Sequence, residues 1–167
     1  VKSDQELPSF IHGGGHARGK RAGTENVAGI VGMAEALKIQ TAQMNATRAR
    51  LARLRNYFCE RVLHEIPGVR LNGHSYKRLP GNVNFSIEGI DATSLLVLLE
   101  EQGICASAGS ACNTGETRIS HVISAIRVPE SYAAGSVRFT MGQETTRDEV
   151  DAVILALRQC VGMLRMS

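Results

Sequence analysis

A change of hydrophobic period at the Pro-Gly pair 67–68 constrains the fold of this chain more than any other feature. Over residues 27–66, apolar side chains recur every three or four positions, which is the spacing of one helix face. After the pair, residues 82–87 and 136–141 alternate polar and apolar side chains, which is typical of half-buried strands. The pattern therefore predicts a long helical segment, continuous or broken within the polar stretch 41–50, followed by a half that contains strands.

The half that follows mixes helices and strands. Asp91 is placed to cap one helix, and Thr146 with Glu149 forms a capping box at the start of another. In chain order the predicted elements are strands over 69–71 and 82–87, a helix over 92–102, a strand over 104–108, a short helix over 120–126, a strand over 136–141 and a helix from 146 to about 166. This order predicts an α/β layered domain in which helices cover a small mixed or antiparallel sheet.

Composition excludes several classes of function. The 167 residues are 43% hydrophobic and 21% charged with a net charge of +3, as in ordinary globular domains. Aromatic residues make up only 4% and Trp is absent, so a base-stacking surface for nucleic acid is not expected. No apolar run reaches the ~18 residues of a membrane-spanning helix, and the N-terminus has neither a signal peptide nor an initiator Met. We therefore expect a chain that begins inside a longer protein and binds neither nucleic acid nor membranes.

The four cysteines lack the spacing of a metal or disulfide framework. No C-x-x-C pair is present, so no metal site is predicted. Four cysteines are too few for a disulfide framework, which indicates a reducing compartment, and we expect the cytoplasm. Cys59 and Cys160 fall on apolar helix faces and are predicted to be buried thiols without a role. Cys112 lies instead among small and polar residues that cannot enclose it. It is either an accessible, reactive thiol or part of a small-residue loop without chemistry.

Two further features are compatible with anion binding. Residues 10–26 form a glycine-rich, basic segment with Thr24 near its end, whose backbone amides and charges suit an anion, although a solvated basic loop is the alternative. Arg138 lies between Val137 and Phe139, so it projects from the polar face of its strand. Its planar guanidinium suits a carboxylate there, although a solvent-facing or salt-bridged arginine would show the same pattern.

Three motifs, in this order, resemble those of cysteine desulfurases of the NifS/IscS type. They are GGGHARGKRAGTENV at 13–27, SAGSAC at 107–112 and SVRFTMG at 136–142, and the resemblance extends over nearly the whole chain. Those enzymes are aminotransferase class V-like and belong to the pyridoxal-phosphate fold-type I group, whose architecture is that of aspartate aminotransferase. The resemblance implies that this chain is the C-terminal part of such an enzyme and shares its α/β fold.

The resemblance also implies roles for three residues. Cys112 matches the cysteine that takes sulfur from L-cysteine as a persulfide and leaves L-alanine, although its motif reads AGSAC here where the family has SGSAC. Arg138 matches the arginine that holds the substrate α-carboxylate. Thr24 matches the threonine that reaches the cofactor phosphate of the partner subunit in a homodimer, whereas Cys105 matches no functional position. The implied cofactor is pyridoxal 5'-phosphate, and the implied sulfur acceptor is a protein such as an iron-sulfur scaffold or a member of a thiolation pathway.

One part of the family pattern is missing from this chain. The family binds its cofactor through a lysine that precedes these motifs, and none of the lysines here matches it. Residues 1–45 are therefore predicted to be a remnant of the large cofactor domain and 46–167 the small C-terminal α/β domain, and the isolated chain is expected to be inactive. The alternatives are a stand-alone sulfur-relay or interaction module without cofactor chemistry, and a selenocysteine lyase-like enzyme. A phosphate- or nucleic-acid-binding domain built on the basic loop is disfavoured by the mild charge and the few aromatic residues.

Overall fold

The computed structural model describes residues 8–108 and 119–166, and the chain divides into two units, Val1–Met44 and Asn45–Ser167. The helices are α1 (Val27–Glu65), α2 (Ala92–Glu100), α3 (His121–Ala125), α4 (Glu130–Ala133) and α5 (Arg147–Leu164). The strands are β1 (Val69–Leu71), β2 (Asn82–Ile87), β3 (Ser107–Ala108) and β4 (Ser136–Thr140). The polar stretch 41–50 is helical throughout, so α1 is one helix rather than two.

The first unit contains a glycine-rich loop that leads into α1. The backbone N–H of Ala22 donates to the carbonyl of Ile11 at 3.0 Å and closes the loop. A Cβ added to Gly13 would lie 2.8 Å from the Cβ of Ala22, and its φ of +148° lies where L side chains rarely occur, so the closure needs glycine. Asn26 caps α1, because its Oδ1 accepts a hydrogen bond from the N–H of Gly29 at 2.9 Å.

The second unit is built on a four-stranded sheet with the order β1-β2-β4-β3, in which every pairing is antiparallel. In the central β2–β4 ladder, Phe85 lies across from Val137 and Asn84 across from Arg138. On the other side of β4, Ser107 of β3 also lies across from Arg138. The predicted α/β fold with a small sheet and covering helices is confirmed, and the sheet is antiparallel rather than mixed.

Apolar side chains from the helices and from one face of the sheet form the core. Phe58 of α1 makes edge-to-face contacts with Phe85 and Phe139, with ring centroids 5.5 and 5.4 Å apart. Other large buried side chains of the helical layer come from α1, α2 and α5; they are Leu51, Val62, Leu95, Leu99, Val150, Ile154, Leu157 and Val161. The alternation of β2 and β4 therefore places their apolar residues under this helical layer and their polar residues on the opposite face.

The local predictions are confirmed at the helix ends and less accurate elsewhere. The carboxylate of Asp91 accepts the N–H of Ser94 at 2.8 Å, and the capping box of α5 is present as predicted. The strand predicted over 104–108 is too long, because only its last two residues pair with β4. Helix α4 was not predicted, since its four residues are too few to show a helical period. Cys160 is buried as predicted, whereas Cys59 is only partly buried.

Replacing Gly135 by Ala should destabilise the second unit. A Cβ at this position would lie 2.1 Å from the carbonyl oxygen of Ile87, whose N–H donates to the carbonyl of Gly135 at 3.1 Å, so the backbone would have to move apart. We expect a loss of about 1–3 kcal/mol in the free energy of unfolding, measured with urea. Gly162→Ala is the matched control, since open space surrounds Gly162 in α5 and alanine favours helix by about 1 kcal/mol. Equal stabilities of the two variants would contradict the close approach.

Candidate active site

Arg138 lies at the centre of the polar face of the sheet. Its neighbours Val137 and Phe139 are 0% and 5% exposed on the core side, while Arg138 itself is exposed. Its cross-strand neighbours are the neutral side chains of Asn84 in β2 and Ser107 in β3. Within the described ranges, no residue forms a hydrogen bond or an ion pair with the Arg138 guanidinium. Arg138 is therefore a planar cation without a partner in the described part of the chain, and it can bind a carboxylate through two parallel hydrogen bonds.

A buried polar network lies beside Arg138 and holds Asn84. The Oδ1 of Asn84 accepts hydrogen bonds from the Nδ2 of Asn72 at 2.6 Å and from the hydroxyl of Ser136 at 3.3 Å. The Nδ2 of Asn72 also donates to the hydroxyl of Ser86 at 2.7 Å. Asn72, Ser86 and Ser136 are all buried. The donor that orients the Asn84 amide is the Nδ2 of Asn72, which faces its carbonyl oxygen, whereas the Ser136 hydroxyl can pair with either end of an amide.

Sequence reasoning singled out Arg138 but missed Asn84 and the network that holds it. The sequence did show that Asn82, Asn84 and Ser86 alternate with apolar residues and so share the polar face of one strand. It did not show which of these residues would lie across from Arg138, because that depends on the register between β2 and β4.

Cys112, the predicted sulfur acceptor, lies outside the described residues. The structure does define where its segment begins, since β3 ends at Ala108 and Ala108 lies across from Val137. Cys105, which precedes β3, is exposed and lines a cavity of about 90 Å³ that is bordered by Phe58 and other core residues. Arg138 and the beginning of the Cys112 segment are therefore neighbours in the sheet.

Cys59 and Cys160 have environments unlike that of Cys105. Burial raises the pKa of the Cys160 thiol, an effect that the hydrogen bond from the side-chain amide of Gln102 partly offsets. Burial also raises the pKa of the Cys59 thiol, and the nearby guanidinium groups of Arg78 and Arg55 offset this only in part. Both thiols are therefore held in the protonated, weakly nucleophilic form at neutral pH.

Thr24, the predicted cofactor-binding residue, lies in the first unit just before α1. It is exposed, and its hydroxyl has no hydrogen-bond partner in the described part of the chain. The cationic side chains near Thr24 differ in whether they already have a partner. Arg21 donates to the carbonyls of Ala22 and Gly23 at 3.1 and 2.9 Å. Arg18 and Lys20 are exposed and have no ion-pair partner among the residues described. A free hydroxyl with two free cations is a donor set that suits a phosphate ester.

Two other kinds of site find no support in the described residues. Within 8–108 and 119–166, no group of three or more His, Cys, Asp or Glu side chains could hold a metal ion. The same residues contain no helix that is both long and apolar enough to span a bilayer.

Comparison with protein families places the chain in a known family. The model of the class V aminotransferases matches residues 12–153, and the chain therefore belongs to that family. It is 41% identical over 165 residues to the cysteine desulfurase IscS of Dictyoglomus turgidum, covering 99% of this chain and 42% of that protein. It is also 41% identical to the cysteine desulfurase IscS of Methanosarcina thermophila, covering 99% of this chain and 41% of that protein. The chain thus spans about two fifths of the length of these relatives.

Solved structures agree with the family assignment. A NifS-like protein from Rickettsia africae superposes with a TM-score of 0.81 at 26% identity, covering 95% of this chain and 41% of that one. A second NifS-like protein superposes with a TM-score of 0.85 at 27% identity, covering 98% of this chain and 41% of that one. The predicted resemblance to NifS-like enzymes of fold-type I is confirmed.

The environments of the described thiols predict their order of alkylation. In a Cys112→Ser background, iodoacetamide at neutral pH should modify exposed Cys105 first, partly buried Cys59 more slowly and buried Cys160 last. The raised pKa values of Cys59 and Cys160 reduce the thiolate fraction that reacts. Mass spectrometry of the peptides over time gives the three rates. Labelling of Cys160 as fast as Cys105 would show that α5 does not shield it.

Proposed function

We propose that this chain is the part of a pyridoxal-phosphate-dependent cysteine desulfurase that binds the substrate α-carboxylate and accepts its sulfur. The observation that carries the proposal is the guanidinium of Arg138, which has no hydrogen-bond or ion-pair partner among the described residues and lies across from the strand that leads into the Cys112 segment. Cys112 follows Ala108, the last residue of β3, by four residues, and a chain of that length spans at most ~14 Å. The relatives named cysteine desulfurase support the same reaction.

In the proposed reaction, Arg138 orients L-cysteine and Cys112 takes its sulfur. Arg138 holds the α-carboxylate through paired, charge-assisted hydrogen bonds. The thiolate of Cys112 attacks the substrate sulfur, so a sulfur–sulfur bond forms while the substrate carbon–sulfur bond breaks. The electron pair of the broken bond stays on the substrate carbon, which takes up a proton and leaves as L-alanine. Cys112 is left as a persulfide, and no separate oxidant or reductant is consumed.

The cofactor would supply an electron sink that makes the substrate carbon–sulfur bond labile. Thr24, Arg18 and Lys20 have the donor chemistry to hold its phosphate. We propose that Thr24 does so for the partner subunit of a homodimer. We further propose that residues 1–45 belong to the cofactor domain and 46–167 to the small domain. The cofactor lysine would then come from outside this chain, since no lysine here fits that role.

The proposed function implies further partners. The persulfide on Cys112 would pass its outer sulfur to a thiol of an acceptor protein, such as an iron-sulfur scaffold or a member of a thiolation pathway. Cys59, Cys105 and Cys160 are free thiols, which supports a reducing compartment, and we propose the cytoplasm.

Cys112→Ala should abolish persulfide formation in the full-length enzyme that carries this sequence. Alanine cannot attack the substrate sulfur, while cofactor binding should persist because Cys112 acts only after the substrate has bound. Peptide mass mapping after a short incubation with L-cysteine locates the added sulfur, and the visible spectrum reports bound cofactor.

Cys105→Ala is the matched control, since it removes the other cysteine near β3 and should leave persulfide formation intact. Added sulfur on Cys105 with Cys112 unmodified would refute the proposed mechanism. Cysteine-independent persulfide transfer through Cys112, without alanine release, would instead support a sulfur-relay module. Faster turnover of selenocysteine than of cysteine would support a selenocysteine lyase-like enzyme.

Arg138→Lys should reduce kcat/KM for L-cysteine although the charge is kept. A single ammonium group cannot reproduce the two parallel hydrogen bonds of a guanidinium to a carboxylate. We expect a loss on the order of 10- to 100-fold, equivalent to about one charged hydrogen bond. Arg53→Lys, at an exposed position of α1, serves as the control and should leave kcat/KM unchanged. An unchanged value for Arg138→Lys would remove Arg138 from the substrate site.

A further inference from the structure

Asn84 is the nearest cross-strand neighbour of Arg138 in β2. The two residues lie directly across from each other in the antiparallel ladder and on the same face of the sheet. Such pairs have Cβ atoms about 4.5–5.5 Å apart, so groups at the ends of both side chains can contact the same small ligand. Asn84 is partly exposed and Arg138 is exposed, so a ligand can reach both from solvent.

The side-chain amide of Asn84 has one end occupied and one end free. Its Oδ1 accepts from Asn72 and from Ser136, at 2.6 and 3.3 Å. Its Nδ2 has no hydrogen-bond partner in the described parts of the chain. Since the oxygen is held by the buried network, the NH₂ group is the end that remains available, and it carries two donors.

We propose that Asn84 is a second donor to the substrate α-carboxylate. In this arrangement the Arg138 guanidinium and the Asn84 NH₂ group bind the same carboxylate from adjacent strands. The inference rests on the proposed function, in which Arg138 holds that carboxylate, and it adds a residue that the sequence motifs do not contain.

A neutral donor beside the arginine suits a ligand that carries a single negative charge. The guanidinium alone balances the carboxylate, and the amide adds a hydrogen bond without adding charge. The network behind Asn84 opposes rotation of its amide, because rotation would place the NH₂ group of Asn84 against the Nδ2 of Asn72 and break that hydrogen bond. The amide is thus oriented before the ligand arrives, which lowers the entropic cost of binding.

Asn84→Asp is the sharpest test, because it changes only the free end of the side chain. One carboxylate oxygen can still accept from Asn72 and Ser136, whereas the outer atom becomes a charged acceptor beside Arg138. The variant should bind L-cysteine at least ~10-fold more weakly, as should Asn84→Ala, which removes the donor altogether. Dissociation constants come from the change in visible absorbance of the cofactor in the full-length enzyme, in a Cys112→Ala background that prevents turnover.

A ligand without a carboxylate separates this role from a structural one. Cysteamine, which is L-cysteine without its carboxylate, should bind the wild type and both Asn84 variants almost equally. Asn82→Ala is the matched control, since Asn82 lies on the same strand and face but across from Thr140, and it should weaken neither ligand. Circular dichroism of each variant checks that the fold is retained.

The outcomes distinguish the inference from the function on which it rests. Weaker binding of L-cysteine alone by the Asn84 variants supports the inference. Equal weakening of both ligands would show that Asn84 only supports the fold, and overturns it. If Arg138→Ala weakens L-cysteine binding selectively while the Asn84 variants do not, the inference fails and the proposed function stands. If Arg138→Ala has no selective effect, the proposed function fails as well.

Discussion

The packing of Phe58 against Phe85 and Phe139 is the contact on which the rest of the second unit depends. Phe58 touches both rings edge to face and so ties α1 to the two central strands. Because side chains alternate across a strand, burying Phe85 and Phe139 places Asn84 and Arg138 on the opposite face. A slip of either strand by one residue would bury the guanidinium and expose the rings, which makes the register costly to change. The geometry of the polar face is therefore set by apolar packing on the other side of the sheet.

The polar network specifies the same register from the other face. Asn72, Ser86 and Ser136 are buried polar side chains, and each uses a hydrogen bond that only this strand alignment provides. Misalignment would leave such groups unpaired, at a cost of about 1–3 kcal/mol each. The network carries one unsatisfied atom even so, since Oδ1 of Asn72 is buried without a partner among the described residues.

How much of this structure the sequence could predict depends on the range of the interactions. The cap at Asp91 and the capping box at Thr146 involve residues three positions apart, and both were predicted correctly. Arg138 was placed on the polar face by the alternation of its own strand. Asn84 was not recognised as its neighbour, because pairing between β2 and β4 joins segments that are distant in sequence and that local patterns do not align. The same limit applied to α4, whose few residues form a turn of helix only where they pack against β2.

Arg138 is available for a ligand because its direct cross-strand neighbours, Asn84 and Ser107, are neutral. Arg61, also on the surface of the second unit, forms ion pairs with Glu65 and Asp151 and so has its charge satisfied within the chain. The strand residues that share the polar face with Arg138 include no acid; they are Arg70, Asn82, Asn84, Ser86, Ser107, Ser136 and Thr140. A carboxylate at position 84 would pair with the guanidinium at a high effective concentration and would compete with a ligand from free solution. The amide of Asn84 instead places a hydrogen-bond donor next to Arg138 and leaves the charge of the guanidinium available. Arg138 can therefore bind a ligand, whereas Arg61, which is paired with acids of its own chain, stabilises the surface.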